Sequence, residues 1–241
     1  MPHRPFSPIR LVGFLTSLLL FASVGAQERK LQNRPFIDER RFHYGFTIGL
    51  HDQFISMQSN GYIDPDTGAQ WLGENDRSGY GFSVGVLGEW RLSRYLSLRA
   101  IPTLHFGSKH LKFRNAADGN IQSQDMKSSY VAVPFDLKIS GPRVGNYRPY
   151  VVTGVAPMYD LTSGKHTLIR TRPMQVMLEA GLGCDFYLPF FKLIPEIKFC
   201  FGLGNVLDNK RSDLTDPTAF VYTRSVDRVT SSMVVLSFYF E

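Results

Sequence analysis

The 241 residues carry 43% hydrophobic side chains and a mean hydropathy of -0.13, enough apolar surface for one sizeable domain and too little for a bundle of membrane helices. The formal charge of +6 arises from 27 Lys and Arg against 21 Asp and Glu, and no recognition module accompanies the basic residues, which excludes a dedicated nucleic-acid binder. Two cysteines, Cys184 and Cys200, exclude a disulfide scaffold.

The chain opens on a processing signal. His3, Arg4 and Arg10 precede an uncharged apolar run, residues 11–24, and Val24-Gly25-Ala26 offers small residues before Gln27. That order predicts a cleaved signal peptide over residues 1–26, the run being short for a span of about 20 residues. No cysteine stands at the cut, which argues against a lipid anchor. Loss of Arg4 and Arg10 takes the formal charge from +6 to +4. Residues 27–41 are polar, charge-rich and without period, and are expected to form an exposed periplasmic lead-in. Beyond Ala26 no apolar segment is long enough for a membrane helix, so an exported chain is left as a soluble envelope protein or an outer-membrane barrel.

Eight alternating stretches follow. Phe42, Tyr44, Phe46, Ile48 and Leu50 alternate with His43, Gly45, Thr47, Gly49 and His51 in the first. The second, residues 79–93, sets Tyr80, Phe82, Val84, Val86, Trp90 and Leu92 against Gly79, Gly81, Ser83, Gly85, Glu89 and Arg91. Side chains of a strand alternate between faces, so this one has an apolar wall and a small or ionic wall, as a lipid-facing barrel strand does. The third carries Leu96, Leu98, Ala100, Pro102, Leu104 and Phe106 on one face, with a bulge expected at Pro102. The fourth runs from Val131 to Ser140. The fifth, residues 147–161, has adjacent Val151 and Val152 that leave its faces unassigned. The sixth is the cleanest, Met174 to Leu188 at every second residue. The seventh places Leu193, Ile197, Phe199, Phe201 and Leu203 opposite Glu196, Lys198, Gly202 and Gly204, and the eighth places Val234, Leu236, Phe238 and Phe240 opposite Ser231, Ser237 and Tyr239.

The connections alternate in length. Residues 58–78, 112–128, 162–173 and 205–226 read as long or moderate polar loops, and residues 92–95, 141–146 and 189–190 as short turns. This is the order of a closed, antiparallel, all-β transmembrane barrel of about eight strands, OmpA/OmpX-like in size, with both termini periplasmic. A soluble barrel would put its apolar faces inside. The reverse is expected, because the non-aromatic faces of the second, sixth and seventh strands hold mainly Gly, Ser and charges.

Barrels of this size are filled by side chains. The expected interior charges are Glu89, Arg91, Arg99, Lys109, Asp136, Lys138, Glu179, Asp185, Glu196 and Lys198, forming a neutral plug of salt bridges. Cys184 and Cys200 face opposite sides of neighbouring strands and are expected to stay unbridged. Some small outer-membrane barrels modify lipids with a Ser–His pair, and His105 lies near Ser108, but by parity they face opposite ways. His43, His51, His110 and His166 form no metal-ligand spacing with acids. No catalytic, cofactor-binding or metal-ligating residue is assigned, and neither a cofactor nor a small-molecule substrate is expected. Arg91, Arg94, Arg143, Arg148 and Lys192, with Arg40 and Arg41, gather at the short-turn end. There they suit anchoring at acidic lipid headgroups or docking of a periplasmic partner.

The blocks GYGFSVGVLGEWRLSRYLSLRAIPTLHFGSK, SSYVAVPFDLKIS, YRPYVVTGVAPMYDL and QVMLEAGLGCDFYLPFFKLIPEIKFCFGLGNVL resemble the PorT family, and the resemblance spans essentially the whole chain after the leader. It implies an outer-membrane barrel required by the type IX (Por) secretion system of Bacteroidetes. That system exports proteases, gingipain-type enzymes among them, and adhesins that bear a C-terminal signal. The other secretion components would then be partners, reached through a basic rim including Arg94, Arg143 and Arg148. No site residue carries over from the family. One departure is that many outer-membrane barrels end on an aromatic, whereas Glu241 follows Phe240 here. The alternatives from other classes are a surface barrel with adhesive extracellular loops and a lipid A-modifying barrel enzyme.

Overall fold

The computed structural model describes residues 31–63, 68, 70–74, 79–116, 118–163, 171–207 and 225–241. The leader at 1–26, the first part of the lead-in and much of the loops at 58–78 and 205–226 lie outside the described residues. The described chain contains β1 (Phe42–Ser59), β2 (Trp71–Glu74), β3 (Gly79–Arg91), β4 (Leu96–Ala100), β5 (Thr103–Asn115), β6 (Ile121–Ala132), β7 (Phe135–Ser140), β8 (Tyr147–Asp160), β9 (Met174–Tyr187), β10 (Lys192–Gly202) and β11 (Val226–Phe240).

All pairings are antiparallel, and the sheet closes on itself. β1 lies between β3 and β11, β10 and β9 follow, and β9 pairs with β8 to return to the middle of the chain. β4 and β5 form one stave, since Gly88↔Ala100 and Gly85↔Thr103 keep the same step along β3. β6 and β7 form another, with Tyr130↔Asp160 and Phe135↔Val155 in step along β8. β2 only extends the wall beside the far end of β5 (Trp71↔Asn115). The ring therefore has eight staves and no open edge, the condition for a sheet in lipid.

Both strand breaks fall at proline. Pro102 still accepts a hydrogen bond from Val86 N (3.0 Å), Pro134 from Ile101 N (3.0 Å) and Pro157 from Val133 N (3.0 Å). Each proline lacks an N–H and so drops one ladder bond, yet the register does not slip. The bulge expected at Pro102 is absent for that reason.

The staves run further than their apolar alternation. β1 continues to Ser59, β11 begins at Val226, and residues 112–128 are a hairpin instead of a loop, with β5 and β6 joined through residues 116–120 and Gly119 at φ 72°. Pairing there is carried by backbone hydrogen bonds, and apart from the buried Phe113 the described side chains are mostly polar, so no period of 2 marks them. The unassigned fifth stretch, β8, has regular faces. Tyr150, Val152, Ala156, Met158 and Asp160 point in, and Val151, Val155 and Tyr159 point out.

The wall is apolar outside and polar inside. Phe42, Trp90, Tyr95, Tyr147 and Phe186 ring the outer wall near the short turns, with Tyr80, Phe82, Phe106, Tyr159 and Phe201 toward the other end. Ile48, Val84, Leu104, Val151, Leu182 and Leu236 lie exposed between them. An apolar belt of this extent is far beyond the patches that soluble monomers expose, and its aromatic borders match membrane interfaces. Apolar side chains also contribute to the interior. Met57, Phe113, Val206, Leu207, Val226 and Val229 cluster under the long connections, and Leu87, Ile101, Val152, Ile194 and Tyr239 pack lower down.

The lead-in is not a loose segment. A 3-10 turn at Ile37–Glu39 lies across the short-turn mouth with Ile37 buried. Apart from Ile37 the segment is largely exposed, with Gln32, Pro35, Phe36, Glu39, Arg40 and Arg41 open to solvent, yet it is tied to the mouth.

Candidate functional site

The most developed constellation is the ion network of the lumen. Parity on β3, β4, β7, β9 and β10 aims Glu89, Arg99, Asp136, Lys138, Glu179, Asp185, Glu196 and Lys198 at the axis, and all eight are buried. Inward glycines keep space for them, Gly154 for Asp136 and Gly181 for Lys198. Arg99 is fully enclosed. Its Nε donates to Glu89 Oε2 at 2.7 Å and its Nη1 to Glu196 Oε2 at 2.8 Å, while its guanidinium lies over Tyr150, 4.8 Å from the ring centre. Glu196 also accepts from Tyr150 OH (2.5 Å) and Tyr239 OH (2.8 Å). Lys198 Nζ donates to Glu179 (2.7 Å) and Asp136 (3.1 Å). Lys138 Nζ donates to both oxygens of Asp185 (2.9 and 2.8 Å) and stands 3.6 Å from Glu89.

The network continues to the short-turn mouth through Lys192 and His43, which lie on the inward faces of β10 and β1. Lys192, expected on the rim, is buried and pairs with Glu241 (2.5 Å) and Asp185 (3.8 Å). His43 Nδ1 lies 2.5 Å from Glu241 Oε1, and its Nε2 is 3.1 Å from the carbonyl of Arg40. Burial pushes the Glu241 carboxyl upward, but the His43 hydrogen bond and the Lys192 charge outweigh it and hold its pKa at about 2. Arg91 belongs to the mouth, where it donates to the carbonyl of Asp38. The side chain of Lys109 lies outside the described residues. Such a network can fix the lumen and exclude water and solute, since each buried charge has a partner whose loss would leave it desolvated.

The Ser–His pair is not assembled. His105 is buried in the lumen edge-on to His51, with ring centres 5.1 Å apart, whereas Ser108 faces outward. Among the described residues no group of His, Cys, Asp or Glu could hold a metal ion. Cys200 is buried and Cys184 half-buried, and both are free thiols.

The rim arginines mostly hold the lead-in. Arg143 donates from Nη1 to Arg34 O (3.3 Å), from Nη2 to Asn33 O and from Nε to Gly145 O (3.0 Å), and its guanidinium covers Tyr187 at 3.5 Å. Arg148 donates to the carbonyls of Gly141 (2.9 Å) and Arg94. The Tyr187 hydroxyl donates to the Asp38 carboxylate, 2.8 and 2.9 Å from its two oxygens, and Asp38 stands 3.6 Å from Arg143. Asn33 bonds Asn146 and Tyr187. Arg143 and Arg148 are half-buried and donate to backbone carbonyls of the chain, while Arg94 is exposed.

A family model described as an outer membrane protein beta-barrel domain matches residues 26–208. The chain belongs to this outer-membrane β-barrel family. Its outer wall accordingly meets lipid, and its location is the outer membrane. No curated protein matches the chain. Similar solved structures include Neisserial surface protein A, at 10% identity over 82% of this chain and 97% of that one, TM-score 0.40. Ail of Yersinia pestis, in complex with the heparin analogue sucrose octasulfate, is 10% identical over 83% and 99%, TM-score 0.37. OprG from Pseudomonas aeruginosa is 11% identical over 88% and 96%, TM-score 0.36. The outer-membrane barrel is thus recognised as a family member by its sequence, and its individual features are read from its own geometry.

Proposed function

We propose that this outer-membrane barrel is an accessory component of type IX (Por) protein secretion. In this reading it acts in the assembly, maturation or stability of the machinery that exports C-terminal-signal proteases and adhesins, and it is not the conduit. The observation that carries the accessory role is the lumen, filled from the Lys198 cluster through Arg99 to Lys192 and Glu241. A polypeptide cannot pass without breaking several buried ion pairs at several kcal/mol each. The resemblance of the quoted blocks to the PorT family supports the choice of secretion system. Residues 1–26 are removed on export in this reading, and both ends of the barrel chain face the periplasm, on the side of the short turns. Components of the machinery then meet the barrel at its lipid-facing wall, its long connections or the basic rim of Arg94, Arg143 and Arg148.

The deciding experiment is a clean deletion in the native host, with exported proteases followed by cell fractionation. Periplasmic accumulation, reversed by the full chain in trans, is expected. Normal surface display of the proteases in the deletion strain would sink the secretion role.

A further inference from the structure

We propose that the short-turn mouth is a binding site for one anionic phospholipid, with its phosphate in an arginine-lined hollow and an acyl chain along an adjoining notch in the wall. This rests on the outer-membrane location and is independent of the secretion role.

The polar half is a hollow of about 850 Å³ where the lead-in meets the turn at residues 92–95. Arg41, Arg91, Arg94, Arg143 and Arg148 line it against two carboxylates, Asp38 and Glu39. Five cations facing two anions leave a formal excess of +3. The hydrogen bonds described above do not remove that excess, because Arg91, Arg143 and Arg148 donate to neutral backbone carbonyls. Carbonyl partners orient a guanidinium without neutralising it. Asp38, the acid nearest to Arg143 and Arg148, stands 3.6 and 4.0 Å away and also accepts from the Tyr187 hydroxyl. Arg41 and Arg94 are exposed. Guanidinium forks with unspent charge select phosphate.

The apolar half is a notch of about 420 Å³ in the outer wall. Its floor is the paired Gly88 and Ala100, two outward positions with no bulky side chain. Phe42, Tyr44, Trp90 and Phe135 border it. Trp90 lines both the notch and the hollow, so the two seats meet at one side chain. An apolar slot in a wall that faces hydrocarbon, continuous with a cationic hollow at its rim, has the polarity of an amphiphile with an anionic head. A free phosphate would use the hollow alone.

The test is lipid retention by the full mature barrel, released from vesicles of mixed phosphatidylcholine and phosphatidylglycerol and read by native mass spectrometry. One phosphatidylglycerol per barrel is expected to persist where phosphatidylcholine is lost. Arg94→Gln and Arg41→Gln should each weaken retention roughly fivefold. Gly88→Leu should weaken it while leaving thermal stability unchanged, since a Cβ there meets only the Ala100 carbonyl at 3.7 Å. Equal retention of the two lipids would overturn the proposal. So would displacement of phosphatidylglycerol by inorganic phosphate with no effect of Gly88→Leu, which would assign the hollow to a free phosphate group.

Discussion

Glu241 reaches back across the seam between β11 and β1 to His43, with Oε1 and Nδ1 2.5 Å apart. The same residue returns its backbone to Lys192, N to O at 3.0 Å and O to N at 2.8 Å. Its side chain thus ties the last strand to the first, while its backbone and its charge hold it to β10 through Lys192. The arrangement also resolves the departure seen in the sequence. Glu241 turns inward, and Phe240 is left as the outward aromatic of the last strand, stacked on Phe46 at 4.9 Å and near Phe191 at 6.0 Å.

The first prediction concerns acid stability. The Glu241 pKa is depressed from 4.5 to about 2, so its contribution is full above about pH 4.5 and is lost as pH falls toward 2. Glu241→Gln should remove this part of the acid dependence, and Glu241→Ala should cost about 3 kcal/mol near neutral pH by leaving Lys192 with only the more distant Asp185. Denaturant midpoints in detergent across pH 2–7 give the measurement. If Glu241→Gln kept the parent's acid profile, the seam pair would not be its source.

A second expectation follows from the enclosure of Arg99. Arg99→Met keeps much of the volume but leaves Glu89 and Glu196 facing each other without their shared cation. A loss of roughly 3–5 kcal/mol is expected, as for the breaking of a buried ion pair. The triple variant Arg99→Met, Glu89→Gln, Glu196→Gln should recover most of it. A single variant as stable as the parent would show that solvent reaches this level of the lumen.

Strand count, facing and the inside-out polarity were legible wherever one face met lipid and the other the lumen. Residues 174–187 show it best, since every second side chain is apolar. Legibility stopped where that contrast stops. The hairpin of β5 and β6 pairs His110 with Asp125 and Lys112 with Ser123, positions whose composition resembles a loop. β8 hid its faces because Val151 meets the outside and Val152 the filled interior, two environments that both accept valine. The membership of Lys192 and His43 in the ion network depends on how Glu241 folds back, which strand parity cannot supply. That the exposed lead-in is tied down was illegible for a similar reason. Its order comes from Asp38, Asn33 and Arg143 meeting across more than a hundred residues of chain, not from any local period.

Gly183 illustrates how the interior controls its own packing. A Cβ built there would stand 2.4 Å from the Tyr150 hydroxyl, which itself donates to Glu196. Gly183→Val should displace Tyr150 and cost several kcal/mol through overpacking and an unsatisfied carboxylate. The heat-modifiable mobility of the folded barrel on unboiled gels is the readout. A fully folded fraction at the parent's unfolding temperature would contradict the packing described.

The lead-in should come free without the barrel unfolding. Asp38→Asn keeps the shape but removes the charge facing Arg143 and Arg148 and weakens the acceptor for Tyr187. Limited proteolysis is then expected to cut within residues 32–41 at least several-fold faster, while the strands stay protected, because local opening needs only the loss of local ties. Unchanged cutting would mean that the ties of Asn33 to Asn146 and Tyr187, and of Arg143 to the Asn33 and Arg34 carbonyls, hold the segment without the Asp38 charge.

The sealed lumen makes the last prediction the most consequential for function. Three levels obstruct the axis: the apolar cluster of Met57, Phe113 and Leu207, the ion network centred on Arg99, and the Lys192–Glu241–His43 closure under the lead-in. Moving an ion through would require parting charges that are each paired within about 3 Å. The purified barrel in planar bilayers should therefore show no large, steady conductance. Asp38→Asn should not create one, because freeing the lead-in leaves the two deeper levels in place. Large stable openings in the unmodified barrel would mean that the network parts readily, and the accessory role in secretion would then lose the observation it stands on.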